Sequence, residues 1–114
     1  YEEYLGIRPE NDGEGVLQDV HWAGGMFGYF PSYALGYMYA AQFKAAMLKD
    51  IPNFDEIIEN GDYGKITEWL TEHVHQYGKL KLPLEIIKDA TGEGLNPQYL
   101  ITYLKEKYTA LYDL

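Results

Sequence analysis

One stretch of the chain, residues 31–49, constrains the fold more than any other, because it is apolar on nearly every side when placed on a helix. Pro31 is suited to the first helical position. The apolar residues of the stretch are Tyr33, Leu35, Tyr37, Met38, Tyr39, Ala40, Ala41, Phe43, Ala45, Ala46, Met47 and Leu48. A helix that is apolar all round is expected to be buried all round. A chain of 114 residues can hardly wrap one helix completely, so we expect the missing cover to belong to an absent part of a larger protein.

Helix start and stop signals divide the rest of the chain. Asn and Pro are typical of helix starts and Gly of the residue after a helix end, and apolar residues at three- and four-residue steps mark the helix between them. The predicted helices run from Asn53 to Gly61, from Asp62 or Tyr63 to Gly78, from Pro83 to Gly92 and from Asn96 to Tyr112. Residues 1–5 are interpreted as the end of a helix and residues 6–16 as an irregular loop. Since no useful strand-like alternation occurs, the sequence predicts an all-α fold with four to five helices.

Charge and composition exclude several classes of partner and site. The formal net charge of −9 argues against nucleic acid or an anionic membrane as a partner, because both require a basic surface. The absence of cysteine excludes disulfides and thiolate metal sites. No apolar run reaches the length of a membrane span and no signal peptide is visible, so we expect a cytoplasmic location. Twelve tyrosines indicate packing surfaces with polar edges, such as interfaces or a lined cleft.

The segment from residue 15 to residue 33 concentrates the residue types that catalysis uses. A His and a Tyr hydroxyl beside a cleft can donate hydrogen bonds to a developing oxyanion. Asp19, two residues before His21, can orient the imidazole and favour its charged form. Tyr29 and Tyr33 lie one helical turn apart and can face the same side. Taken on residue types alone, a packed histidine and core tyrosines are the commoner interpretation of such a segment.

The pattern Gly-x-x-Gln-Asp-x-His-Trp resembles a signature of the carboxypeptidase Taq (thermostable carboxypeptidase) family of zinc metallocarboxypeptidases. It is complete here as Gly15, Gln18, Asp19, His21 and Trp22. The similarity continues through residues 27–36 and 40–42 and, more weakly, through Trp69-Leu70, His75, Gly78, Ala90-Thr91-Gly92 and the tyrosines and leucines of residues 99–112. The resemblance implies a helix-rich peptidase that removes C-terminal residues from peptide substrates and is typically a homodimer.

In that family a His-Glu-x-x-His helix and a downstream Glu hold zinc, and an arginine-bearing motif holds the substrate carboxylate. This chain has neither: its histidines are His21, His73 and His75, and its only arginine is Arg8. The resemblance therefore implies that residues 1–114 are a C-terminal fragment of the catalytic domain, with the zinc-binding portion upstream. We expect the fragment to bind no metal itself and to be inactive alone. His73 is interpreted as a core or interface residue, and His75 is assigned no chemical role; neither is expected to be a metal ligand.

The residues that match the motif carry the predicted site. Related zinc peptidases place a His and then a Tyr to hydrogen-bond the oxygen of the scissile carbonyl. By that resemblance His21 and Tyr29 are the expected catalytic pair, with Tyr33 as a close alternative to Tyr29. Gln18, Asp19 and Trp22 are expected to contact the substrate or to support the site. The competing interpretation is a small acidic all-α interaction module with no catalytic role, and an upstream His-Glu-x-x-His in the source reading frame distinguishes the two.

Overall fold

The helices follow the start and stop signals of the sequence. In the computed structural model, which describes residues 1–113, the α-helices are α1 (Glu2–Leu5), α2 (Val20–Ala23), α3 (Phe30–Asp50), α4 (Phe54–Asn60), α5 (Gly64–His73), α6 (Pro83–Thr91) and α7 (Gln98–Tyr112). No strand occurs among the described residues, so the all-α prediction is confirmed. Helices α3 to α7 correspond to predicted segments and α1 lies where the end of a helix was expected. The single-turn α2 was not predicted.

Glycines follow the ends of two helices, and an asparagine precedes the start of another, each with the expected local geometry. Gly61 and Gly92 follow α4 and α6 with φ angles of 70° and 86°, a left-handed conformation that costs glycine little. Asn96 Oδ1 accepts the backbone N–H of Gln98, the first residue of α7, at 3.0 Å. Asn53 precedes α4 as predicted, although its side chain makes no capping hydrogen bond.

The predicted continuation of α5 to Gly78 was wrong by about one turn. The helix ends at His73, and a 3₁₀ turn over His75–Tyr77 follows it. Between them Val74 takes φ −130° and ψ −63°, outside the helical region, and packs against the hydrophobic core. Val74 therefore lies outside the helix while its apolar side chain packs against the core.

The chain forms two compact units, residues 1–33 and the chain from Ala34 onward. The core of the second unit consists of Ala46, Met47, Ile51, Ile57 and Trp69, with Phe43, Phe54, Ile66, Leu70, Val74 and Ala90 packed against it. The Trp69 indole N–H donates to Asp50 Oδ2 at 2.7 Å, which satisfies the one polar group of that side chain. In the first unit Gly15 is the only buried residue, and the chain is organised around α2.

A buried glutamine joins α3 to the segment between α6 and α7. Gln42 is 1% exposed, and its Nε2 donates to Thr91 Oγ1 and to the Gly94 carbonyl, both at 3.0 Å. Its Oε1 accepts the backbone N–H of Asn96 at 2.8 Å. All the polar atoms of this amide are therefore paired, as a buried amide requires.

Much apolar surface of the second unit faces outward. Tyr37 on α3 is 67% exposed, and α7 has no buried residue among those described. Covering of α3 by an absent part of a larger protein stays a prediction. None of the helices within residues 1–113 combines the length and the apolar character that crossing a membrane requires.

Candidate functional site

The site is built on α2, a single helical turn that is capped at both ends. Asp19 Oδ1 accepts the backbone N–H of His21 at 2.8 Å, which is the side-chain cap of a helix start. At the other end, the N–H of Met26 donates to the His21 carbonyl at 2.8 Å and the N–H of Gly25 to the Trp22 carbonyl at 3.1 Å. This pair of bonds, with Gly25 at φ 68°, is a Schellman motif. His21 is thus fixed through both its N–H and its C=O.

The imidazole of His21 contacts polar groups through both ring nitrogens. Nδ1 contacts Asp19 Oδ1, the same oxygen that caps the helix. Nε2 lies 3.1 Å from the hydroxyl of Tyr33, a residue of the first turn of α3. Asp19, His21 and Tyr33 therefore form one continuous series of hydrogen bonds, and the His21 side chain is only 14% exposed.

Aromatic rings surround this series. The ring of Phe30 lies 5.0 Å from the imidazole centroid, and the rings of Tyr29 and Tyr33 lie at 5.5 and 5.7 Å. The rings of Tyr29 and Tyr33 meet edge to face at 5.3 Å. Trp22 packs on Phe30 at 5.3 Å. The imidazole therefore lies among aromatic rings, and the distances and angles between the rings are typical of favourable aromatic packing.

The electrostatics of the series centre on the Asp19 carboxylate. The hydrogen bond from the His21 backbone N–H, followed by the contact with the His21 side chain, lowers the pKa of Asp19 below its ordinary value of 3.8. Asp19 is therefore ionised at neutral pH and accepts both hydrogens from His21. Because a carboxylate can only accept, the Nδ1 of His21 must carry a hydrogen where it faces Asp19.

The structure brings some of the predicted site residues together and leaves others apart. Asp19, His21 and Tyr33 are joined by hydrogen bonds, whereas Tyr29 contacts His21 and Tyr33 through its ring. Their catalytic roles stay predictions.

Trp22 lies in the aromatic cluster, packed on Phe27 and Phe30, and Gln18 is exposed at the end of the 3₁₀ turn Val16–Gln18. The role of both in substrate contact also stays a prediction. Phe30, which touches His21 directly, was not predicted to belong to the site, because a phenylalanine beside a long apolar helix signals packing alone.

No group of three or more His, Asp or Glu side chains within residues 1–113 is arranged to hold a metal ion. The ring of His73 stacks on Trp69 with centroids 4.3 Å apart, and its Nδ1 lies 3.0 Å from the Trp69 carbonyl. His75 is exposed in the 3₁₀ turn after α5. The geometry of His73 is that of a packing residue, and the two histidines do not share one helix.

The chain is similar to known proteins over nearly its whole length. The family model described as carboxypeptidase Taq (M32) metallopeptidase matches residues 1–108. Carboxypeptidase 1 of Bacillus subtilis is 66% identical over 114 residues, which are 100% of this chain and 23% of that protein. The crystal structure of BsuCP is similar with a TM-score of 0.91 at 66% identity, over 98% of this chain and 22% of that one. The crystal structure of the M32 carboxypeptidase from Deinococcus radiodurans R1 is similar with a TM-score of 0.90 at 37% identity, over 100% of this chain and 23% of that one. The chain thus spans less than a quarter of the length of these relatives.

Proposed function

The chain belongs to the carboxypeptidase Taq (M32) metallopeptidase family, and on that premise we propose that it is the C-terminal part of a zinc-dependent carboxypeptidase that releases C-terminal amino acids from peptides. Relatives at 66% and 43% identity are named as carboxypeptidases, which supports the activity. The small share of those relatives that the chain spans supports the proposal that it is one segment of the catalytic domain. A homodimeric and cytoplasmic enzyme is part of the same proposal.

The observation that carries the proposal is the hydrogen-bonded series of Asp19, His21 and Tyr33. In peptide hydrolysis negative charge develops on the oxygen of the scissile carbonyl, and donors aimed at that oxygen accelerate the reaction. Two groups whose polar atoms lie 3.1 Å apart can both reach one oxygen that lies to one side of them, at about 3 Å from each. We assign His21 and Tyr33 as these donors, with Asp19 as the group that orients His21.

The protonation state of His21 decides whether both donors are available. Because Asp19 holds the hydrogen on Nδ1, a neutral His21 has a bare Nε2 that accepts the hydroxyl hydrogen of Tyr33. In that state neither group donates to a substrate. In the imidazolium state Nε2–H is itself a donor, and the hydroxyl hydrogen of Tyr33 is free to point at the substrate oxygen.

The metal of the proposed enzyme does not fit the described residues, because residues 1–113 offer no group of three ligands. We therefore place the zinc ligands outside this chain and derive no step through the metal. The chain alone is expected to release no amino acids. Gln18 and Trp22 are retained in the proposal as substrate contacts, and Tyr29 as a ring that packs beside the two donors.

The test is turnover of a blocked dipeptide by the full-length enzyme at equal zinc content. His21→Ala and Tyr33→Phe should each lower kcat by about 100- to 1000-fold, the usual effect of removing one oxyanion donor. Tyr29→Phe is the matched control, since it removes the same hydroxyl one turn earlier, and we expect a far smaller loss. Near-normal turnover of His21→Ala would reject the site, and a wild-type enzyme that releases no C-terminal residue would reject the function.

A further inference from the structure

The ring of Phe30 is the one aromatic side chain in the cluster that touches His21, Trp22 and Tyr33 together. Its centroid lies 5.0 Å from that of His21, 5.3 Å from that of Trp22 and 6.3 Å from that of Tyr33. Phe30 is also the first residue of α3, three positions before Tyr33, so the two side chains are neighbours on one face of the helix. It therefore contacts both of the proposed donors, one from α2 and one from its own helix.

We infer that Phe30 is a positioning residue, which holds the imidazole of His21 in line with the hydroxyl of Tyr33. This inference rests on the proposed function. The two polar contacts of His21 lie at its two ring nitrogens, so they leave the ring free to tip about the line that joins them. A ring at 5.0 Å, inclined by 39° to the imidazole, restricts that tipping. Asp19 orients the ring through Nδ1, and the packing of Phe30 adds the restraint on the plane of the ring, in which the Nε2–H bond lies.

The effect of losing this contact should appear in turnover. Donors act only when they are aimed at the developing oxyanion, and a misplacement of about 1 Å can cost about 100-fold in rate. We therefore expect Phe30→Leu, which keeps apolar character but removes the flat ring, to lower kcat by about 10- to 100-fold. KM should change little, because the donors act on the transition state more than on the bound substrate.

Phe27 supplies a matched control within the same cluster. Its ring packs on Trp22 at 5.7 Å, much like that of Phe30, but its aromatic contacts among the described residues do not include His21. Phe27→Leu therefore removes a ring from the same cluster without touching a proposed donor, and kcat should stay within about threefold of wild type. Phe30→Tyr keeps the ring on a half-exposed side chain and should restore nearly full turnover.

The deciding experiment is a double-mutant cycle in the full-length, zinc-loaded enzyme. Phe30→Leu and Phe27→Leu are each made in the wild-type and the His21→Ala backgrounds, and kcat and KM are measured on a blocked dipeptide. If Phe30 acts through His21, Phe30→Leu loses its effect once His21 is gone, and the double variant should match His21→Ala within about threefold. An equal fold-loss of kcat in both backgrounds would mean a general effect on folding and would overturn the inference. A kcat for Phe30→Leu equal to that for Phe27→Leu would also overturn the inference.

The design separates this inference from the function on which it rests. An inactive wild-type enzyme, or a fully active His21→Ala enzyme, rejects the proposed function or its site, and the inference falls with it. Active wild type, impaired His21→Ala and normal Phe30→Leu reject the inference alone. Far-UV circular dichroism and thermal midpoints verify that each variant is folded, and Phe30→Met replaces Phe30→Leu if the latter does not fold.

Discussion

Replacement of Gln42 by methionine tests whether its buried amide stabilises the second unit through its hydrogen bonds. Methionine has a similar volume and a flexible unbranched chain, so the change leaves little cavity and removes polar atoms almost alone. The substitution leaves the Gly94 carbonyl and the Asn96 N–H without the partners that Gln42 gives them. Thr91 keeps its hydrogen bond to the Ile87 carbonyl at 2.7 Å, so its hydroxyl loses only an incoming bond.

The expected cost follows from these three contacts, which are 3.0, 3.0 and 2.8 Å long. A hydrogen bond within a protein contributes about 0.5–1.5 kcal/mol net, and an unpaired buried group loses more than that. Gln42→Met should therefore lower the free energy of unfolding by about 2–4 kcal/mol. Gln42→Glu should cost at least as much, because a carboxylate accepts from Asn96 but donates to neither oxygen and places a charge in a buried position.

Urea unfolding measures the total loss in the free energy of unfolding, and hydrogen exchange of the Asn96 amide measures the loss of local stability. That amide donates to Gln42 Oε1, so its exchange should accelerate by about the factor that the lost free energy implies. Gln98→Met is the matched control, since Gln98 is exposed and its side chain makes one long contact, 3.4 Å, to Thr102. The control should stay within about 0.5 kcal/mol of wild type. Equal effects of Gln42→Met and Gln98→Met would refute the reasoning.

Three further predictions concern α2 and its surroundings. Asp19→Asn keeps an N-cap acceptor but removes the charge beside His21, so kcat of the full-length enzyme should fall about tenfold while helix content is kept; an unchanged kcat would contradict this. Gly25→Ala forces a side chain into φ 68° and should cost about 1–2 kcal/mol in urea unfolding, whereas Gly36→Ala, in a helix with open space around it, should not destabilise. Folding lowers the pKa of Asp19, so the ionised carboxylate contributes to the stability of the folded state above pH 3.8. This contribution is lost only as the pH falls below that value. A carbon-13 titration of the Asp19 carboxyl should therefore have its midpoint below 3.8, and a midpoint above 3.8 would contradict the structure.

The helices could be predicted from the sequence because their boundaries are set locally. Gly92 takes the left-handed conformation that a glycine after a helix favours, and Pro83 opens α6 with its fixed φ. The end of α5 could not be predicted, because the apolar steps continue through Val74 and Tyr77 after the backbone has left the helix. Tertiary packing of Val74 on the core overrides the local pattern there. The resemblance to the carboxypeptidase Taq family is confirmed over residues 1–108.

The site could be predicted in part. Residue types and the Gly-x-x-Gln-Asp-x-His-Trp pattern indicated Asp19 and His21, which the structure places in contact. The resemblance favoured Tyr29, with Tyr33 as a close alternative, and which of the two acts as a donor stays a prediction. Their positions depend on where α3 begins: at Phe30, which leaves Tyr29 before the helix and places Tyr33 in its first turn, with its hydroxyl beside His21 Nε2. The partners of Gln42 are 49 to 54 residues away along the chain, so no local pattern could reveal them.

The contacts that stabilise α2 also orient His21, and this double role explains the order of the residues around His21. A single helical turn is unstable in isolation, because nucleation fixes several dihedral angles for one hydrogen bond. It persists here because Asp19 caps its start and the Schellman motif closes its end. Gly25 supplies the left-handed residue, and a side chain at Gly24 would lie 3.3 Å from the Val20 carbonyl. Asp19 before His21 and the glycines after it thus act together. They fix the backbone of His21, so that its ring can be held against Asp19 and Tyr33.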